Sequence, residues 1–203
     1  MNESLEFLKE YCDFSEPNWL WILTGISRNK DNTDNETFFI RKVIKDESDI
    51  EFCYNEIKQK AVQSNVNCRI YISLNARDAM KCFFNYKIKL EVMTKEMFHG
   101  ASNDLVKKLD SVWKKELASS SNKGTKRMLL DIDNFQDIDT IYMLLDEDKN
   151  VKVIHTVKET KTGCVAVIDA CDTRDLVKKF KEEKIELDIQ NDSLVFVEYI
   201  ENN

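Results

Sequence analysis

Apolar positions follow two spacings along this chain, and the spacing changes from one segment to the next. Short apolar runs with aromatic and β-branched residues read as strands. The first is Trp19-Leu20-Trp21-Ile22-Leu23-Thr24-Gly25-Ile26, and the second is Thr37-Phe38-Phe39-Ile40-Arg41-Lys42-Val43-Ile44, across a polar loop at 29–35. Cys68–Leu74, Arg127–Asp133, Val151–Val157 and Cys164–Asp169 follow the same pattern. Ile185–Ile189 and Leu194–Tyr199 read as a final strand pair, with Asn191-Asp192 at its turn.

Between these runs the period lengthens to that of a helix. Residues 1–18 form an acidic lead-in closed by Pro17. Ser48-Asp49-Ile50-Glu51 has capping-box spacing, and Ile50, Cys53, Tyr54, Ile57 and Ala61 carry a helix to about residue 64. Asn75 is the expected cap of the next helix, with Ala79, Met80, Phe83 and Phe84 on its inner face. After a break at Phe98-His99-Gly100, Ser102 is the expected cap of a helix with Leu105, Leu109, Val112, Trp113 and Leu117 on one side. Lys107, Lys108, Lys114 and Lys115 on its other side read as a solvated face. Ile138–Leu145 is a short helix, and Asp172 caps another that runs through Lys181.

Strands, helices and hairpins in this order predict an α+β fold, with a mixed or antiparallel sheet and flanking helices. Residues 118–126 (Ala-Ser-Ser-Ser-Asn-Lys-Gly-Thr-Lys) read as a linker. They divide the chain into an N-terminal part, 1–118, and an acidic-motif part, 119–203, expected to form one compact domain overall. No internal repeat, dinucleotide-binding glycine motif or phosphate-binding P-loop is present in the sequence.

Composition narrows the function classes. The apolar share of 42% suits a folded soluble domain, and no apolar run approaches a membrane span. The N-terminus lacks the three regions of a signal peptide. Six cysteines with no Cys-x-x-Cys pair, beside two histidines, argue against a zinc finger and for reduced thiols in a cytoplasmic setting. A net charge of −7 disfavours strong non-specific nucleic-acid binding, while leaving room for a local basic groove or a nucleotide pocket. Two scattered histidines and no Gly-x-Ser-x-Gly give nucleophilic catalysis little support.

The candidate chemistry lies in Leu129-Leu130-Asp131-Ile132-Asp133. Side chains on a strand alternate faces, so Asp131 and Asp133 point the same way. Two neighbouring carboxylates raise each other's pKa unless a cation sits between them. Mg²⁺ or Mn²⁺ suits the pair, because these ions take oxygen ligands and leave positions open for phosphates. An Asp at a strand end is also an ordinary turn residue.

Three pieces stand in one order: Arg69-Ile70-Tyr71-Ile72-Ser73-Leu74-Asn75-Ala76-Arg77, then Leu129–Asp133, then Thr160-Lys161-Thr162-Gly163-Cys164-Val165-Ala166-Val167. This order resembles small phage-encoded proteins related to the catalytic core of archaeo-eukaryotic primases and primase-polymerases, over roughly residues 37–200. The resemblance implies an RRM-like core, a metal-dependent nucleotidyltransferase activity, and divalent-ion ligation by Asp131 and Asp133. It also implies a third acid on a later strand, for which Glu198 and Asp169 are the two candidates. Arg69, Arg77 and Lys161 are the expected phosphate contacts, although each also fits a surface role.

The chain departs from the family at one position. Where the family pattern Gly-aromatic-His places a histidine that contacts the incoming nucleotide, this sequence has Gly163-Cys164-Val165. Valine neither donates to nor accepts from a phosphate. Arg77, Lys158, Lys161 and His155 are the candidates for a replacement charge. Two expectations follow. One is a primase-like nucleotidyltransferase, active or attenuated, with nucleotide or nucleic acid as its partner. The other is a catalytically inactive relative that serves a phage as a nucleotide- or protein-binding accessory or inhibitor.

Overall fold

The computed structural model describes residues 2–28, 38–100, 107–160 and 163–202. The fold is α+β, with antiparallel strand pairing in two sheets and six α-helices among the described residues. The chain forms two compact units. The first comprises Met1–Ile72, Ala76–Thr125 and Phe196–Asn203, and the second Ser73–Asn75 and Lys126–Val195.

The first unit holds α1 (Glu3–Tyr11), β1 (Trp19–Ile26), β2 (Phe39–Ile44), α2 (Ser48–Gln63), β3 (Cys68–Ser73), β4 (Arg77–Asp78), α3 (Ala79–Phe98) and α4 (Leu109–Leu117). Its sheet runs β2-β1-β3-β9, with β9 (Leu194–Ile200) on one edge and β4 paired to β1. The core gathers Leu8, Trp21, Leu23, Ile44, Ile50, Tyr54, Ile57 and Ile70, all fully buried. Gly25 lets α2 approach closely, since a β-carbon there would stand 2.6 Å from Ile57 Cγ2.

The second unit holds β5 (Arg127–Asp133), α5 (Ile138–Asp146), β6 (Ile154–Glu159), β7 (Gly163–Asp169), α6 (Arg174–Glu182) and β8 (Glu186–Gln190). Its sheet order is β6-β7-β5-β8, so the acidic strand β5 is central. One face of this sheet packs Met128, Leu130, Ile132, Cys164, Ala166 and Ile168 against Ile141, Leu144 and Leu145 of α5 and Leu176 and Phe180 of α6.

Several local expectations give way to tertiary structure. Asn75 does not cap α3. Its amide is buried and bonds the Arg127 backbone in both directions, accepting from the N–H and donating to the carbonyl. Asp78 caps α3 instead, accepting from the N–H groups of Met80 and Lys81 at 3.0 Å each. Met80, Phe83 and Phe84 are exposed rather than inward, and Cys82 is the buried residue of the helix.

The last two strands do not form a hairpin. β8 pairs with β5, whereas β9 joins β3 in the other sheet. Residues 118–126 are tied down rather than loose. Asn122 is buried and donates to the Glu116 carbonyl, and the Thr125 hydroxyl accepts from the Ala76 N–H. The polar loop at 29–35, Ser102 and Lys161 lie outside the described residues. No helix among the described residues is long and apolar enough to cross a membrane. The six cysteines are free thiols, and all but Cys171 are buried.

Candidate functional site: an acidic sheet face and an arginine-aromatic sheet face

The register of the second unit's sheet fixes which side chains share a face, because direct cross-strand partners point the same way. Asp131 lies opposite Val165 of β7 and opposite Asp188 of β8. Val165 in turn lies opposite Lys158 of β6. Lys158, Val165, Asp131 and Asp188 therefore form one row across the sheet, on the face opposite the α5–α6 core. In the next row, Asp133 stands between Gly163 and Glu186.

Four carboxylates thus share this face: Asp131, Asp133, Asp188 and Glu186. Like charges directly opposite each other on a sheet are unfavourable. Asp131 shows the effect, with its pKa raised first by burial, then by the charges of Asp133 and Asp188. Asp188 accepts a hydrogen bond of 2.9 Å from the Gln190 side chain. At the end of the first row, burial lowers the Lys158 amine to about 8.

Gly163 makes this arrangement possible. A β-carbon there would lie 2.2 Å from the Ile132 carbonyl oxygen and 2.4 Å from Asp133 Oδ1. Only a residue without a side chain lets β7 pass this close to the Asp133 carboxylate. The turn before it is closed by the Thr160 N–H donating to the Gly163 carbonyl at 2.8 Å and by the Gly163 N–H donating to Thr160 Oγ1 at 3.1 Å.

The two candidates for a third acid have other partners. Glu198 sits on β9 in the first unit, where it accepts from the Tyr54 hydroxyl and pairs with Lys58 Nζ at 3.2 Å. Asp169 lies at the far end of β7 from Gly163, opposite Arg127, and its Oδ1 is 2.7 Å from His155 Nε2. His155 is thereby held at that end of the sheet. Among the described residues no group of three or more His, Cys, Asp or Glu side chains is arranged to hold a metal ion.

Mg²⁺ keeps several waters and is commonly held by one or two carboxylates together with substrate phosphates. Asp131 and Asp133 fit an ion that arrives with a polyphosphate, and do not fit a resident ion caged by protein ligands.

In the first unit, Arg69 and Arg77 share a sheet face. β1 presents Leu20, Ile22, Thr24 and Ile26 on one side, and the Leu20–Ile22 end of it is packed under α3 and α4. Arg77 lies opposite Leu20, Arg41 and Tyr71 lie opposite Thr24, and Phe39 and Arg69 lie opposite Ile26. The guanidinium pKa of Arg41 is lowered by burial and by the neighbouring charge of Arg77. Arg77 is buried and donates from Nη1 to the Ser119 carbonyl at 3.2 Å.

Three guanidiniums stack on rings: Arg41 over Phe39 at 4.7 Å, Arg69 over Tyr199 at 5.6 Å and Arg28 over Tyr71 at 5.8 Å. Thr24 Oγ1, buried at the centre of this face, has no hydrogen-bond partner. Sequence reasoning singled out Arg69 and Arg77 but passed over Arg41 and Arg28. Cross-strand register brings Arg41 to Arg69 and Arg77, and Arg28 joins through its contact with the Tyr71 ring; no local pattern reveals either.

No protein-family model, no curated protein and no solved structure matches this chain.

Proposed function

We propose that this chain is a small primase-like domain that binds a nucleoside triphosphate with its divalent ion at Asp131 and Asp133, and that its nucleotidyl transfer is attenuated. The observation that carries the reading is the position of Asp131. It lies on the central strand, on the same face as Asp133, with Asp188 directly across. A face that sets like charges opposite one another is relieved by a cation, and a cation delivered with phosphates needs few protein ligands. When bound, the ion would neutralise charge on the phosphates that it bridges.

The attenuation follows from Val165. The resemblance places a nucleotide-contacting histidine there, and this position is the direct neighbour of Asp131. A charged hydrogen bond to the transferring phosphate is worth on the order of 2–4 kcal/mol in the transition state. Valine supplies none of it. The arginine-aromatic face of the first unit supports nucleic acid as the second ligand, since guanidiniums and rings offer both phosphate contacts and stacking surfaces.

Mn²⁺ titration by calorimetry tests this, comparing the wild type with the double variant Asp131→Ala/Asp133→Ala, with and without a nucleoside triphosphate. Saturable binding that tightens with nucleotide and disappears in the variant is the expected result. Identical weak, non-saturating heats from both proteins would remove the acidic pair from the function. The Val165 position would then favour the second reading, an inactive relative that acts as an accessory or inhibitor by binding another macromolecule.

A further inference from the structure

Helix α3 is apolar on two sides, and the described residues cover one of them. Its inner side packs on α4, where the Tyr86 and Trp113 rings meet edge to face at 5.4 Å. There Tyr86 Oη donates to the Leu109 carbonyl at 3.3 Å, and Lys89 pairs with Glu116. Cys82 and Leu117 close this side together with Ile22. The other side bears Met80, Phe84, Ile88 and Val92, four residues apart along one ridge, with Phe83 beside them and Phe98 at the end. These six side chains are between 45% and 86% exposed. An apolar patch of this extent on a folded surface marks an interaction site.

We propose that this ridge is the contact between two copies of the chain, joined α3 to α3 about a two-fold axis. Size, shape and charge favour that occupant. Aromatic side chains carry roughly 150–250 Å² each. At these exposures the six residues offer about 600 Å² per copy, and two copies bury about 1,200 Å², the lower edge of a stable specific interface. The ridge follows the i, i+4 row, and two such rows interlock in the commonest mode of helix packing.

The rim is electrically balanced. Lys81 pairs with Asp78 at 3.5 Å and Lys89 with Glu116, which leaves Lys87 and Lys95 against Glu91 and Glu96. A two-fold contact sets each rim against its own copy, so a net charge of either sign would oppose it. A helix that seeks anionic membrane carries an excess of Lys and Arg on its polar face, which this rim lacks.

The test is sedimentation equilibrium of the full chain from about 1 to 100 μM, the range in which an interface of this size is read. The proteins compared are the wild type, Phe84→Glu, Ile88→Glu and the control Phe52→Glu, which alters an exposed aromatic on α2. Circular dichroism and urea midpoints verify that each variant is folded. The expected result is a closed monomer–dimer equilibrium, weakened at least tenfold by either ridge variant and unchanged by Phe52→Glu. Salt should tighten it, because each copy carries a net charge of −7. A wild type that is monomeric throughout, or a dimer indifferent to both ridge variants, would overturn the proposal. So would open-ended polymers, or co-flotation with neutral or anionic vesicles in place of dimerisation.

Discussion

Val165 and Asp131 are direct cross-strand neighbours on one face of the second unit's sheet. A valine there leaves the acidic pair without a phosphate-binding partner on its β7 side. Val165→His puts an imidazole beside the carboxylate at a half-buried position. A charge-assisted hydrogen bond to a bound phosphate is worth about 1.5–3 kcal/mol, so the affinity for Mn²⁺-nucleotide should rise at least about tenfold. Calorimetry of the single variant, and of the same change in the Asp131→Ala/Asp133→Ala background, reads the effect. No gain in the first, or an equal gain in the second, would detach Val165 from the site.

The acidic face should also show in the pH dependence of stability. Burial, then Asp133 and Asp188, raise the Asp131 pKa above its ordinary value. For a carboxyl shifted upward, the site favours folding most when protonated. That contribution is complete below the ordinary aspartate value of about 4 and is lost as pH rises through the shifted value. Asp131→Asn removes the charge and should therefore stabilise the protein at pH 7, by a few tenths to about 1 kcal/mol after allowance for solvent screening. The difference should vanish as pH falls below about 4. Urea midpoints of the two proteins across that range measure it, and a stabilisation that is constant with pH would show that the carboxylate charge is not its cause.

How far the sequence could be read depends on whether an element is decided locally. The runs at 19–26 and 127–133 are short, dense in apolar residues and buried along most of their length, and they match β1 and β5. Asn75 carries a good capping signal, yet buried backbone groups of Arg127 claim its amide, and no local pattern encodes a partner fifty-two residues away. Phe83 and Phe84 have the apolar character of inward residues, whereas α4 covers the Cys82–Tyr86–Lys89 side and leaves them exposed. The spacing of Ile185–Ile189 and Leu194–Tyr199 suits a hairpin, but β5 offers β8 an edge and β3 takes β9. At the site, the shared face of Asp131 and Asp133 was legible from strand alternation. Asp188 and Glu186 opposite them were not, because register between distant strands is a tertiary fact.

Gly163 is the steric condition for the acidic face. Any β-carbon there meets the Ile132 carbonyl at 2.2 Å and the Asp133 carboxylate at 2.4 Å, both inside van der Waals contact. The carbonyl belongs to the sheet ladder and cannot turn aside, so β7 must lift from β5. Gly163→Ala should cost about 2–3 kcal/mol, in the range of overpacking that shifts backbone. It should also weaken Mn²⁺-nucleotide binding through displacement of Asp133. Urea unfolding beside calorimetry separates the two effects, and an alanine variant as stable as the wild type would contradict the close approach.

Tyr54 and Glu198 define what the late acid does. The Tyr54 ring is fully buried, and its hydroxyl donates to Glu198 while accepting from Asn2 Nδ2 at 3.0 Å and Lys58 Nζ at 3.2 Å. Removal of that hydroxyl takes one partner from Glu198, Lys58 and Asn2, which keep the Lys58–Glu198 pairing and access to water, so Tyr54→Phe should destabilise by about 0.5–1.5 kcal/mol. Glu198→Gln keeps an acceptor for the hydroxyl and loses only the half-exposed pairing with Lys58, worth less than about 1 kcal/mol. Because these contacts lie within the first unit, Glu198→Gln should leave the Mn²⁺-nucleotide isotherm of Asp131 and Asp133 unchanged. Calorimetry of the Gln variant decides between a structural and a metal-binding role: an unaltered isotherm assigns Glu198 to the Tyr54 network, and a lost one would make it the third ligand that the family resemblance implies.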